Sequence, residues 1–161
     1  MKLTPIGLIH SPYKDLQGMP IQPSGAAGVE GTAEVYPEYQ AGLKDLDGFS
    51  HLILLYEFHL SQGYKLEVIP FLDNQPHGLF ATRAPRRPNP IGLSVVKLDR
   101  IENGVLYLQN VDILEGTPLL DIKPYVPDFD QQDNVRTGWL EKSNHRVSTR
   151  QSDDRFLEDK G

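Results

Sequence analysis

Apolar positions in this chain come in short bursts separated by glycine, proline and asparagine, a rhythm that predicts many short β-strands rather than long helices. Leu3 to His10 is the first candidate strand, and Ser11-Pro12 stops it. Residues 11 to 28 hold Pro12, Gly18, Pro20, Pro23, Gly25 and Gly28 and read as a long irregular loop of the kind that carries function. Val29 to Tyr36 predicts a second strand, Pro37 to Leu46 a short helix with proline in its first turn, and Asp47-Gly48 a turn. Within Phe49 to His59, the unbroken run Leu52 to Tyr56 suits a strand covered on both faces, with a buried helix as the competing assignment. Lys65 to Leu72 and Gly78 to Arg83 are further candidate strands around the turn-prone Asp73 to His77. Leu93 to Ile101 and Val105 to Leu114 flank Asn103-Gly104, a pair that tolerates positive φ and predicts a hairpin. Leu119 to Val126 is the last strand. Regular spacing of so many short strands favours a mainly β fold, a closed or nearly closed barrel of mostly antiparallel strands with one or two short helices.

The pattern changes after Pro127. Asp128, Asp130, Asp133, Glu141, Asp153, Asp154, Glu158 and Asp159 alternate with lysine and arginine, and Trp139-Leu140 is the only bulky apolar pair in the middle of this stretch. We read residues 1–128 as the barrel domain and 129–161 as a tail that folds back once. The 161 residues, 39% hydrophobic and 24% charged, suffice for one domain with a proper core. Absence of cysteine excludes disulfides, thiolate metal sites and a thiol nucleophile, and agrees with a cytoplasmic location. The N-terminus lacks the features of a signal peptide, and no segment is apolar for long enough to span a membrane as a helix.

Charge then singles out one loop. From Asn74 to Leu98 there is no acidic residue, while Arg83, Arg86, Arg87 and Lys97 give a local +4 in a chain whose total is -6. Pro85, Pro88 and Pro90 restrict the backbone, so the segment holds its cations semi-rigidly. Such a patch suits phosphate, carboxylate or nucleic-acid backbone; a solvated turn balanced by nearby acids fits the charge equally well. The five histidines, His10, His51, His59, His77 and His145, are too scattered for a local metal motif, so no metal is expected. His51 and His59 would lie about 27 Å apart along an ideal strand, too far for one site. Neither a nucleophile elbow, a P-loop nor a dinucleotide-binding glycine motif is present.

The second dense constellation runs from Asp112 to Tyr125, with Glu115-Gly116-Thr117-Pro118 as a tight turn. Together with Phe80-Ala-Thr-Arg83, Arg87-Pro-Asn-Pro-Ile-Gly92 and Asp121-Ile-Lys-Pro-Tyr125, it resembles the bacterial and archaeal TrmO, or TsaA-like, family. Ile6-Gly7, Ser11-Pro12, Pro20-Ile21-Gln22 and Phe49-Ser50-His51-Leu52 add to the match, which covers roughly residues 4 to 127. The resemblance implies an S-adenosylmethionine-dependent tRNA methyltransferase on a single-sheet β-barrel, usually a homodimer. Its implied substrate is N6-threonylcarbamoyladenosine at position 37 of the anticodon loop, which receives an N6-methyl group. The implied cofactor contacts fall on Pro20, Ile21, Gln22, His59, Leu60, Arg83, Leu93, Glu115, Gly116, Thr117 and Pro118. Bacterial members often carry a further C-terminal domain, for which this chain leaves little room.

Chemistry suggests roles for these positions. Leu60 and Leu93 suit an apolar slot for adenine, and Arg83 is the natural partner of the methionine carboxylate, with Arg86 or Arg87 as substitutes. Arg86, Arg87 and Asn89 are the expected substrate contacts, toward phosphate or the threonine carboxylate. Methyl transfer from a sulfonium depends chiefly on alignment, so a strong base is not obligatory. Asp112, His59 and Tyr125 are the polar candidates for the N6 proton, and the sequence ranks none as catalytic. Two other functions fit some of the residues: a non-catalytic RNA-binding barrel, and a methyltransferase with another acceptor.

Overall fold

The computed structural model describes residues 1–15 and 23–142. Its strands are β1 (Gly7–His10), β2 (Glu30–Val35), β3 (His51–Glu57), β4 (Glu67–Val68), β5 (His77–Gly78), β6 (Ile91–Glu102), β7 (Val105–Gln109) and β8 (Thr117–Pro124). Six close into one barrel in the order β1-β2-β7-β6-β3-β8, with every neighbouring pair antiparallel. β1 completes the ring by pairing with β2 on one side and β8 on the other, so the barrel has no open edge. β4 and β5 form a separate two-stranded arm in the connection from β3 to β6.

Side-chain alternation fills the barrel. On β3, Leu52, Leu54 and Tyr56 are buried while Ile53 and Leu55 are half-buried on the outer side. On β6, Gly92, Ser94, Val96 and Leu98 point inward, and Leu106 and Leu108 do so on β7. Ile9, Ala33, Val35, Val111, Ile113 and Leu119 complete the core. Each fully buried aliphatic side chain contributes about 1.5–3 kcal/mol, and this alternation settles the run Leu52 to Tyr56 as a strand. Bulges between Leu98 and Arg100, and between Leu55 and Tyr56 against β8, bend the strands that close the ring. The β6–β7 hairpin turns at Asn103 and Gly104, with φ of 51° and 76°.

Several expected elements are shorter or different. Residues 37 to 46 form a 3₁₀ helix over Pro37–Leu43 rather than an α-helix, and Asp45, at φ 67°, separates it from a second turn at Leu46–Gly48. Of Lys65 to Leu72 the strand keeps Glu67–Val68, and Pro70 brings no donor to extend the ladder. Of the expected strand Gly78 to Arg83 only Gly78 pairs, as the end of β5: Thr82 returns both its N–H and its hydroxyl to the Leu79 carbonyl and closes a 3₁₀ turn over Leu79–Ala81. β7 ends at Gln109, where Asn110 takes φ 64° and turns the chain out of the β7 ladder, while Val111 and Ile113 still pack into the core. In the tail, Pro127–Asp130 is a single α-turn and Gly138–Lys142 a 3₁₀ turn; residues 143–161 lie outside the described residues. No helix among the described residues is long and apolar enough to cross a membrane.

Candidate functional site

At the end of the barrel where β3 finishes and β6 and β8 begin, the interior turns polar. Tyr56 stands opposite Gly92 on β6 and Leu119 on β8. Its ring lies where a side chain on residue 92 would be: a Cβ there would strike the ring and come within 2.9 Å of Phe58 Cζ. Ser94, the next inward position of β6, donates to Asp112 Oδ1 at 2.6 Å, and the Tyr56 hydroxyl lies 2.9 Å from Ser94 Oγ. Since Ser94 has one proton, already directed at Asp112, Tyr56 is the donor in the other bond. The chain therefore runs from Tyr56 through Ser94 to Asp112.

Burial raises the Asp112 carboxyl from 3.8 to about 6, against the stabilising donation from Ser94 and the nearby charge of Arg83. Burial, then the Asp112 charge, also holds the hydroxyls of Tyr56 and Tyr13 above the ordinary tyrosine range. Ser94 thus holds one half-buried carboxylate whose charge is felt at Tyr13 and Tyr56. Arg83 itself is exposed, and its charge reaches both Asp112 and Tyr56.

The turn after Asp112 is anchored to β1. Glu115 accepts from the Ser11 N–H at 2.8 Å and lies 2.7 Å from His10 Nδ1, while His10 Nε2 reaches Glu34 at 3.3 Å. Burial would raise Glu115, but His10, the Ser11 N–H and Lys14 leave it below the usual glutamate value. His10 is raised by its bond to Glu115, against burial, with Glu34 adding to the rise. Gly116, at φ 76°, returns its N–H to the Ile9 carbonyl, and buried Thr117 donates its hydroxyl to Leu114. Glu115 therefore ties the turn to the barrel as well as facing the rim.

His59 and Leu60 follow β3 at this same end, and Leu93 lies across from Leu55 on the outer wall, so the two leucines, 59% and 47% exposed, sit on the outside of the rim while Ser94 faces in. Thr117 and Pro118 begin β8 beside them. Arg86 donates through Nε to the Gln62 carbonyl at 2.7 Å. Arg87 directs Nη1 to the carbonyls of Leu79, Thr82 and Ala84, at 3.5, 3.0 and 3.1 Å, and its guanidinium lies 5.8 Å from the exposed Phe80 ring. Asn89 is exposed. Pro20, Ile21 and Gln22 lie outside the described residues. Tyr125 is at the opposite end of β3, its N–H on the His51 carbonyl, and is removed from Asp112. No cluster of potential metal ligands occurs among the described residues. Sequence reasoning overlooked Tyr56, Ser94, Tyr13 and His10. The available signal was Ser94, a hydroxyl on the inward register of an apolar strand.

The sequence profile of the tRNA-methyltransferase O N-terminal domain matches residues 8–131. The chain belongs to this family. A relative from Pyrococcus abyssi, named a probable S-adenosyl-L-methionine-binding protein, is 55% identical over 153 residues, covering 95% of this chain and 83% of its own length. The tRNA (adenine(37)-N6)-methyltransferase of Mus musculus is 39% identical over 138 residues, 81% of this chain but 32% of the mouse protein. Among solved structures, that of TrmO from Pseudomonas aeruginosa superposes with a TM-score of 0.73 at 40% identity, over 86% of this chain and 62% of the other. The chain thus spans most of the Pyrococcus relative and a smaller share of the mouse and Pseudomonas members of the tRNA-methyltransferase O family.

Proposed function

We propose that this protein is an S-adenosylmethionine-dependent tRNA methyltransferase that methylates N6 of threonylcarbamoyladenosine at position 37. The observation that carries the reading is the half-buried Asp112 carboxylate, held by Ser94 and Tyr56 beside Arg83, at the rim of a barrel of this family. The residues fit the cofactor: a carboxylate for its positive end, an exposed cation for its carboxylate, and exposed Leu60 and Leu93 for its adenine. When bound, S-adenosylmethionine supplies an electrophilic methyl group whose charge is already in place.

The chain's own residues do the rest. Arg83 orients the amino-acid end, and the Glu115–Pro118 turn and His59 frame the rim; Pro20, Ile21 and Gln22, outside the described residues, are further cofactor contacts in this reading. Asp112, ionised at neutral pH and bonded through Oδ1 to Ser94, receives the N6 proton at Oδ2. Arg86, Arg87 and Asn89 meet the anticodon loop, where an unpaired base leaves its stack cheaply. Exposed Leu60, Ile91 and Leu93 along adjacent segments support a homodimer joined near this rim.

The test is to incubate the protein with S-adenosylmethionine and tRNA containing or lacking the threonylcarbamoyl group, then identify nucleosides by mass spectrometry. One new methyl group on the modified tRNA alone is expected. Cofactor binding without transfer to either tRNA overturns the substrate, and no cofactor binding overturns the enzyme.

A further inference from the structure

Trp139 lies beyond the segment matched by the family profile, yet it packs on the loop that bears the arginines. Its indole N–H donates to the Ala81 carbonyl at 2.8 Å across 58 residues of chain. Its ring stacks on His77, with centroids 4.5 Å apart and planes 16° from parallel. His77 in turn places Nε2 2.7 Å from Asp73 Oδ2. One side chain therefore ties β5 to the Leu79–Ala81 turn, two residues before Arg83.

The carbonyls of that turn show why this matters. Leu79 accepts from Thr82, and the Thr82 and Ala84 carbonyls on either side of Arg83 accept from Arg87. Ala81 accepts from Trp139. Ladder bonding ends at Leu79, whose N–H reaches the Leu66 carbonyl, and beyond it the side chains of Arg87 and Trp139 hold the carbonyls of Ala81, Thr82 and Ala84. Arg83 is exposed, two residues beyond Ala81, and its charge is felt at Asp112 and Tyr56.

We propose that Trp139 is a positioning residue that acts through the Leu79–Ala81 turn to aim Arg83 at the cofactor site. The inference rests on the cofactor reading given above, and its test separates the two. S-adenosylhomocysteine binding is measured by calorimetry for the wild type, Trp139→Ala, Trp139→Phe, Arg83→Ala and the two double variants that combine Arg83→Ala with Trp139→Ala or Trp139→Phe. Trp139→Ala loses the hydrogen bond and the stack and weakens binding about ten-fold, whereas Trp139→Phe keeps an aromatic ring for His77 and weakens it roughly three-fold. In the Arg83→Ala background, Trp139→Ala adds almost nothing, because the residue through which it acts is gone. An equal loss in both backgrounds, or unchanged affinity in both Trp139 variants, overturns the proposal. If Trp139→Ala does not fold, the Trp139→Phe variant in both backgrounds carries the same comparison. Failure of the wild type to bind overturns the cofactor reading before any substitution is made.

Discussion

Replacing Asp112 by asparagine keeps the side chain's shape and an oxygen for Ser94 to donate to, but removes its titration. In the native protein burial raises this carboxyl from 3.8 to about 6, so the folded state holds the proton more tightly than the unfolded chain. Stability contributed by Asp112 therefore falls as pH rises from about 4 to about 6, then stays level. At roughly 1.4 kcal/mol per pH unit, ionisation of Asp112 in the folded protein costs about 3 kcal/mol. Asp112→Asn should match the wild type near pH 4, apart from a constant offset, and gain about 3 kcal/mol on it by pH 8. Urea unfolding at both pH values measures the gap, and contributions from other groups cancel in the difference. The same variant should lose methyl transfer, since it cannot accept a proton. A stability gap independent of pH would refute the claim that this carboxylate is ionised under strain. So would a gap that closes as pH rises.

Gly92→Ala drives a methyl group into the Tyr56 ring and toward Phe58, and should cost about 2–3 kcal/mol, read as a lower urea midpoint. Arg83→Ala should weaken S-adenosylhomocysteine binding with little effect on tRNA affinity, whereas Arg86→Ala should do the reverse; calorimetry and filter binding separate them. Glu115→Gln removes the main cause of the raised His10 pKa, so His10 should titrate closer to 6.5 by NMR. Because a raised histidine stabilises below its unfolded pKa and loses that contribution as pH rises through the folded value, this substitution should cost more near pH 6 than near pH 9.

Local signals made most of the barrel legible. Asn103-Gly104 encoded its hairpin directly, and the apolar bursts marked the strands that line the core, because both depend on neighbours in sequence. The arginine segment was misread as a strand since Phe80 and Thr82 look β-prone, while its 3₁₀ turn is held by Thr82, by Arg87 and by Trp139, 58 residues from Ala81. The polar chain was hidden for the same reason: Tyr56 meets Ser94 across 38 residues, and Ser94 meets Asp112 across 18. Asp112 was visible as a candidate, but its burial and its donor come only from barrel closure. Tyr125 is an equal candidate in sequence, and the strand register carries it to the opposite end of β3.

We propose that the cofactor binds at the barrel end formed by residues 56–60, 83–94 and 112–118. Titrating isotope-labelled protein with S-adenosylhomocysteine and following backbone and arginine side-chain NMR signals tests it most directly. The predicted result is a set of saturable shifts centred on Arg83, Leu93, Asp112 and Gly116, with His51 and Tyr125 at the far end unmoved. Shifts centred on His51, Lys97 and Tyr125, with Arg83 and Asp112 unchanged, would contradict it.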